Sequence, residues 1–509
     1  MKSFQRVVVI PDENIAEINP FLHGHFAEHL GELVYPGVYV GPESEIPNTR
    51  GIRNDVIEAL KPLEIPVLRW PGGCFADTYH WRDGVGPREQ RPTAINVHWG
   101  MAEEPNAFGT DEFMDFAQMI GSEPYFAANL GSGSPNEMRD WIEYCNFSGN
   151  STLADARRTN GSKDPYRVKY WGIGNENWAC GGNLLPEEYA QMFSRYRTYA
   201  YSYPDAPVEA IACGPSGADW NWTERFFATL GQNRLSLVQG FAAHYYCNTA
   251  GTATEYTEVQ WLELLARAGA VEGIITGHRA LMDVYDPERK IKLLLDEWGT
   301  WHPVEIGKPG GGLYQQNTMR DACVAALSLD IFHNQADKLF MANIAQVINV
   351  LQSVLLVEGD QVIKTPTYHV FDLYRPHKGA HAVRLISTSE VISDGGASAA
   401  HCRSCYRDNQ PYGLRGIQGS ASVKDGMLCV TAVNSHPTQD VELAVDITQG
   451  RLDSVEVVTL SADDIHAHNT FGNPNAVTLS APTTVQAKAG ELRVHMPAAS
   501  VIRILGRIE

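Results

Sequence analysis

From about residue 17 to residue 375 the apolar positions of the chain switch between two periods. Short, nearly continuous apolar runs have the pattern of strands buried on both faces: Phe21–His25, Val67–Trp70, Tyr125–Asn129, Val168–Ile173, Val208–Cys213, Phe241–Tyr246, Lys292–Leu295 and Leu339–Ile344. Between them apolar residues recur at i, i+3, i+4 and i+7. Val56, Ala59, Leu60 and Leu63 form one such set; Tyr189, Met192, Phe193 and Tyr196 form another. That spacing predicts amphipathic helices, and Pro186 suits the first turn of the second. Eight strand–helix units over this length predict a (β/α)₈ barrel. A doubly wound sheet is the competing arrangement, but no Gly-rich phosphate loop follows the first strand.

The last barrel helix is expected over Tyr368–Tyr374, ending before Pro376. Beyond it the period becomes two: Val441–Ile447 and Leu492–Met496 alternate, Val501–Leu505 reads as a final strand, and Asp425-Gly426 and Gln449-Gly450 mark turns. The stretch 389–420, rich in Ser, Gly and Ala, reads as loop. Strand-like Phe4–Ile10 precedes the barrel and can join the C-terminal strands. The predicted organisation is an N-terminal strand (1–16), a (β/α)₈ barrel (17–378) and an all-β sandwich (379–509) that the N-terminal strand completes.

Sixty acidic against forty basic residues give a net charge of −20, which argues against nucleic acid or an anionic membrane as partner. No apolar run is long enough to span a bilayer, and Val7–Ile10 is too short for a signal segment. Nine cysteines are present, several inside apolar runs where free thiols sit as small hydrophobes. The chain therefore reads as a reducing, cytoplasmic protein. Cys402 and Cys405 form a CxxC beside His401, but no second pair follows at zinc-ribbon spacing, and a structural role is expected.

The chemistry concentrates at two strand ends. Ile291–Trp301 runs from apolar residues into Asp296, Glu297 and Trp298, and Val168–Trp178 runs into Asn175, Glu176, Asn177 and Trp178. Chemistry in parallel barrels sits at the C-terminal ends of the strands. Glu176 and Glu297 would close the fourth and seventh strands, which face each other across the mouth. Two converging carboxyl groups flanked by tryptophan are what glycosidic cleavage needs, one as acid and one as nucleophile or base. His244 and Tyr246 end the sixth strand, where Tyr246 can donate to the nucleophile. Arg69 ends the second and, if buried, needs a carboxylate partner. Gly72 and Gly73 bring backbone close to the pocket. His25 and His29, with Glu28 between, do not make a zinc pair, because residues four apart in a strand are far apart. Glu28 is expected to bind a substrate hydroxyl instead, and no metal or cofactor is expected.

The motifs HGHFAEHLGELVYPGVYVG, VLRWPGGCFADTYHWRDGVGP, YWGIGNENWACGGN, AHYY, LLLDEWGTW, LYQQNTMRDACVAAL and MANIAQVINVLQ together resemble family 51 glycoside hydrolases, the α-L-arabinofuranosidases. The resemblance implies a retaining, exo-acting enzyme with Glu176 as acid/base and Glu297 as nucleophile. It also implies arabinose contacts from Glu28, the backbone around Gly73 and Cys74, Asn175, Tyr246 and Gln352, with Trp99 and Trp301 as aromatic walls toward the leaving group. Arabinoxylan, arabinan and their oligosaccharides would be the substrates, and the chain would assemble as a homo-oligomer, a hexamer by resemblance. A β-1,4-glucanase or β-xylosidase of the same family, and a non-catalytic sugar-binding barrel, are the alternatives.

Overall fold

Each apolar run of the first 375 residues becomes a strand because neither of its faces meets water. In the computed structural model, which describes residues 3–248, 251–305, 310–393, 412–488 and 491–509, eight parallel strands close into a barrel. With β1 at the N-terminus (Ser3–Glu17), the barrel strands are β2 (Gly24–Phe26), β3 (Val67–Trp70), β4 (Glu123–Ala128), β5 (Tyr170–Ile173), β6 (Glu209–Ser216), β7 (Gly240–Asn248), β8 (Lys292–Trp301) and β9 (Leu339–Ala345). They follow one another around the barrel in chain order, and β9 pairs with β2 to close it. All eight expected strands are present and a doubly wound sheet is excluded.

The first strand starts later than expected. Pro20–His23 forms a 3₁₀ turn, capped by Asn19, whose side chain accepts from Phe21 N. Phe21 packs edge-on against Tyr170 and Phe340 at the N-terminal ends of their strands, so it plugs the barrel rather than extending β2. The two helices read from periodicity span Asn54–Leu60 and Pro186–Tyr199, the latter with Pro at its first position.

The C-terminal region forms one nine-stranded sheet with strands β10 (His381–Ser387), β11 (Ile417–Lys424), β12 (Met427–Asn434), β13 (Val441–Ile447), β14 (Ser454–Leu460), β15 (Thr483–Gln486), β16 (Leu492–Met496) and β17 (Ser500–Arg507). β1 lies inside it, antiparallel to β10 and parallel to β13. Val455 and Val457 near one end of the sheet share a buried core with Val430 and Ile504 in the middle and Val494 and Met496 at the other end. The sheet therefore folds over on itself as a sandwich. Part of the expected 389–420 loop is β11, whose Ala421 and Ile417 enter that core. Cys402 and Cys405 lie outside the described residues.

Helix Met319–Asn334 joins the two units and is buried along almost its whole length. Its Asp330 takes hydrogen bonds from Ser420 and Thr431 of the sheet and from Tyr374 of helix Pro366–Tyr374. Three donors on a carboxyl group with no cation among its hydrogen-bond partners do not offset desolvation, and burial raises the Asp330 pKa to about 7.

Candidate active site

At the C-terminal mouth of the barrel, Asp296 and Glu297 are consecutive, and strict alternation would send them to opposite faces of β8. The pairing with β7 shows why it does not. Ala243 pairs with Leu295 and His244 with Glu297, so Asp296 is an extra residue in the ladder. Such a bulge re-aims side chains. Arg69, at the end of β3, meets both acids: Nη1 donates to Glu297 Oε1 at 2.8 Å, and Nε lies 3.6 Å from Asp296 Oδ2. Nη2 donates to Asn175 Oδ1 at 2.6 Å. Arg69 is fully buried, as expected of an arginine with carboxylate partners, and those charges outweigh its desolvation and raise its pKa.

Tyr246 donates its hydroxyl to Glu297 Oε2 at 2.8 Å. Burial alone would raise the Glu297 pKa. The charge of His244, the charge and hydrogen bond of Arg69, and the hydroxyl of Tyr246 reverse this, and the carboxyl group is held below its ordinary range. His244 Nδ1 lies 3.0 Å from Glu176 Oε1 and 3.5 Å from Glu297 Oε2. Burial opposes its charge, but the two acids raise its pKa above the ordinary histidine value. One carboxylate oxygen of Glu176, one of Glu297 and a ring nitrogen of His244 lie within 4.8 Å of one another.

Glu176 occupies the left-handed region at φ +42°, unusual for a residue with a side chain. Asp77 holds this turn: its carboxylate accepts from Asn175 N and, across the neighbouring loop, from Leu130 N and Gly131 N. Asn175 is buried, its Nδ2 has no hydrogen-bond partner among the described residues, and it stands behind the pocket lining rather than in it.

Glu28, just past β2, accepts from Phe75 N and Trp99 Nε1 on Oε1 and from Gln346 Nε2 on Oε2. Burial and then the Glu297 charge raise its pKa to about 7. The backbone after β3 passes so near that a Cβ on Gly73 would sit 2.7 Å from Glu28 Oε2, which is why glycine stands there. Trp99 lies at the tip of a hairpin, Ala94–Asn96 with Ala102–Glu104, and packs from above. Trp301 meets Tyr246 edge-on at 5.2 Å.

Glu28, Gly73, Cys74, Trp99, Glu176, Tyr246, Glu297 and Trp301 line one small pocket, with Leu30, Leu313, Gln346 and Leu351. Gln352 stands elsewhere: its fully buried amide accepts from Thr300 N and donates to Asp321 O. Gln346, six residues earlier in the same motif, lines the pocket instead. His29 is spent on Glu104 at 2.7 Å and His25 packs on Phe371, so the two histidines diverge.

One reading of the sequence is corrected. Cys74 and Cys180 are not free thiols but form a disulfide, with 5.5 Å between their Cα atoms. The turn after β3 and the loop after β5 converge over Glu176, which brings together cysteines 106 residues apart. Cys145, Cys213, Cys323 and Cys429 are free and buried, as expected, and Cys247 is buried as well.

The model of the "Alpha-L-arabinofuranosidase 1 domain" matches residues 59–261, and that of the "Alpha-L-arabinofuranosidase C-terminal domain" matches 296–500. An "Intracellular exo-alpha-L-arabinofuranosidase" of Bacteroides ovatus is 40% identical over 98% of this chain and 95% of its own. The crystal structure of the GH51 arabinofuranosidase from Xanthomonas axonopodis pv. citri superposes with a TM-score of 0.91 at 40% identity, over 99% of this chain and 100% of that one. The chain belongs to glycoside hydrolase family 51. It is an α-L-arabinofuranosidase. An α-L-arabinofuranosidase from Thermotoga maritima, solved as an arabinose complex, also aligns with this arabinofuranosidase over 99% of its chain and 100% of that one, at 30% identity and a TM-score of 0.84. The non-catalytic alternative is thereby set aside.

Proposed function

We propose that this arabinofuranosidase removes terminal non-reducing α-L-arabinofuranosyl residues from arabinoxylan, arabinan and their oligosaccharides by double displacement, with Glu297 as nucleophile and Glu176 as acid/base. The observation that carries the mechanism is that both carboxylates close on one nitrogen, His244 Nδ1 lying 3.0 Å from Glu176 Oε1 and 3.5 Å from Glu297 Oε2. One oxygen of each acid is within 4.8 Å of the other, an approach that fits the closer of two known spacings. Retaining pairs stand about 5–5.5 Å apart, whereas inverting pairs leave about 6.5–9.5 Å for a water molecule.

Glu297 stays ionised because Arg69, Tyr246 and His244 surround it, so its oxygen can attack the anomeric carbon as the glycosidic bond breaks. Glu176 gives its proton to the leaving oxygen. It then takes one from the water that attacks the glycosyl–enzyme ester from the same face, so the configuration is inverted twice and retained overall. His244, in contact with both acids, moderates their mutual repulsion as charge passes between them. Glu28 meets the sugar hydroxyls, with Gln346 beside it. Trp99 and Trp301 form walls on the leaving-group side.

A small pocket roofed by a hairpin supports removal of one terminal sugar rather than cleavage within a chain. Among the described residues no helix is long and apolar enough to cross a membrane. The acidic surface suits a neutral carbohydrate, and the relative named intracellular supports a cytoplasmic enzyme acting on imported oligosaccharides. A homo-hexamer is proposed from family resemblance and is checked by sedimentation.

Proton NMR of arabinoxylan hydrolysis tests the reading. Arabinose should be the sole early product and should first appear with the anomeric configuration of the substrate. Early xylose or xylo-oligosaccharides would replace this reading with the xylosidase one, cello-oligosaccharides from a parallel digest of a β-1,4-glucan would replace it with the glucanase one, and an inverted first product would overturn double displacement.

A further inference from the structure

The disulfide over Glu176 does more than join two loops. Cys74 Sγ and Cys180 Sγ lie 3.8 and 3.6 Å from the same oxygen, Glu176 Oε2. As disulfide sulfurs they carry no proton, so these are contacts and not hydrogen bonds. All three residues are half-buried at the pocket lip, within reach of solvent. A tetrahedral zinc-like ion binds thiolate at about 2.3 Å and carboxylate at about 2.0–2.2 Å, which sets the sulfur–oxygen edge of its coordination shell at about 3.6 Å. The two observed separations are close to that edge, while the sulfur–sulfur edge, about 3.8 Å in such a shell, is held shut by the disulfide bond and opens only when that bond is broken. The other oxygen, Oε1, faces His244 and is left undisturbed.

We propose that Cys74, Cys180 and Glu176 form a redox-gated site for a thiophilic divalent cation, closed in the disulfide and opened by reduction. A dithiol reductant would transfer two electrons and two protons, breaking the sulfur–sulfur bond, leaving two thiols and becoming a disulfide itself. A cation of the zinc group would then displace the two thiol protons to solvent. It would bind both sulfurs and Glu176 Oε2, with water in the fourth position. Soft thiolate ligands select such ions over magnesium or calcium. With its carboxylate held by the metal, Glu176 could no longer deliver a proton, so the ion would inhibit the reduced enzyme and spare the oxidised one. The inhibitory consequence rests on the acid/base role proposed above; the site itself does not.

The test uses Cd²⁺ as probe on enzyme carrying Cys402→Ser and Cys405→Ser, which removes the CxxC as a competing ligand. Oxidised and phosphine-reduced samples are titrated while thiolate-to-cadmium charge-transfer absorbance and activity on an aryl arabinofuranoside are followed. The reduced enzyme should gain the absorbance and lose activity together at one equivalent, with recovery on adding EDTA, and the oxidised enzyme should do neither. Cys180→Ser should weaken Cd²⁺ inhibition of the reduced enzyme, relative to the variant's own metal-free rate, by at least the ~10–100-fold that loss of an outer-shell partner costs a metal site. No absorbance on reduction, or equal sensitivity in both redox states, overturns the site. Absorbance with full activity leaves the site standing and overturns its inhibitory consequence; the role of Glu176 is judged separately from leaving-group dependence.

Discussion

Tyr246 and Glu297 share a 2.8 Å hydrogen bond across adjacent barrel strands, made to the carboxylate oxygen that Arg69 does not touch. Each oxygen of the proposed nucleophile thus has its own donor. Tyr246→Phe removes one and leaves the ring against Trp301. A hydrogen bond to a charged group contributes about 1.5–3 kcal/mol, so kcat/KM should fall by roughly 10–150-fold. Steady-state kinetics on an aryl arabinofuranoside measure it, and an unchanged rate would mean that Arg69 and His244 suffice.

Glu297→Ala should abolish turnover, because no anion remains to form the glycosyl–enzyme ester. Added azide should restore part of the rate and give a glycosyl azide of inverted configuration. Glu176→Ala should slow substrates with poor leaving groups far more than activated aryl glycosides, which scarcely need a proton. Equal losses on both would reject the acid role.

Glu28 should impose a neutral-pH limb on kcat/KM. Its pKa is raised to about 7, yet Phe75 N, Trp99 Nε1 and Gln346 Nε2 all point donors at it, and a sugar hydroxyl adds another. The ionised form accepts all of these, so kcat/KM should rise with pH through about 7. Glu28→Gln should lose that limb and, with one good acceptor gone, fall roughly 10-fold or more. A limb that persists in Glu28→Gln would assign it to another group.

Asp330 governs stability rather than turnover. Its pKa is raised to about 7 in the fold against an ordinary aspartate value of 3.8. Between these values the native protein keeps a proton that the unfolded chain has released. Stability therefore falls as pH rises from about 4 to about 7 and is flat above. Asp330→Asn mimics the neutral acid, with its amide turned to Tyr374. It should be the more stable form at pH 8, by an amount on the order of a few kcal/mol, and should flatten the slope. Denaturant melts at pH 5 and pH 8 decide it; parallel curves for both proteins would exclude the effect.

Much of this was legible in the sequence because burial writes itself into composition. Runs such as Val67–Trp70 can be nothing but interior strands, and Glu176 and Glu297 stand where such runs stop. What the sequence withheld depends on direction rather than on type. The bulge at Asp296 shifts alternation by one residue and leaves no mark in the letters DE. Gln346 and Gln352 are equivalent on paper, and only the backbone path after β9 turns the first to the pocket and the second to Thr300. The Cys74–Cys180 pair was missed because it joins two loops that meet only when the barrel closes. Phe21 looked like a strand residue because a barrel plug and a barrel strand are equally apolar.

The position of β1 has a consequence for how the protein is made. It leaves the ribosome well before the two strands it pairs with, β10, which begins at His381, and β13, which begins at Val441. At about 5–20 residues per second, more than 350 residues separate it from its first partner, a delay of roughly 20–70 s. Over that time a strand carrying Val7, Val8, Val9 and Ile10 has both edges open, the template on which nascent chains aggregate. Arg6, Asp12 and Glu13 flank the run and are the charges that keep it solvated until its partner strands are made.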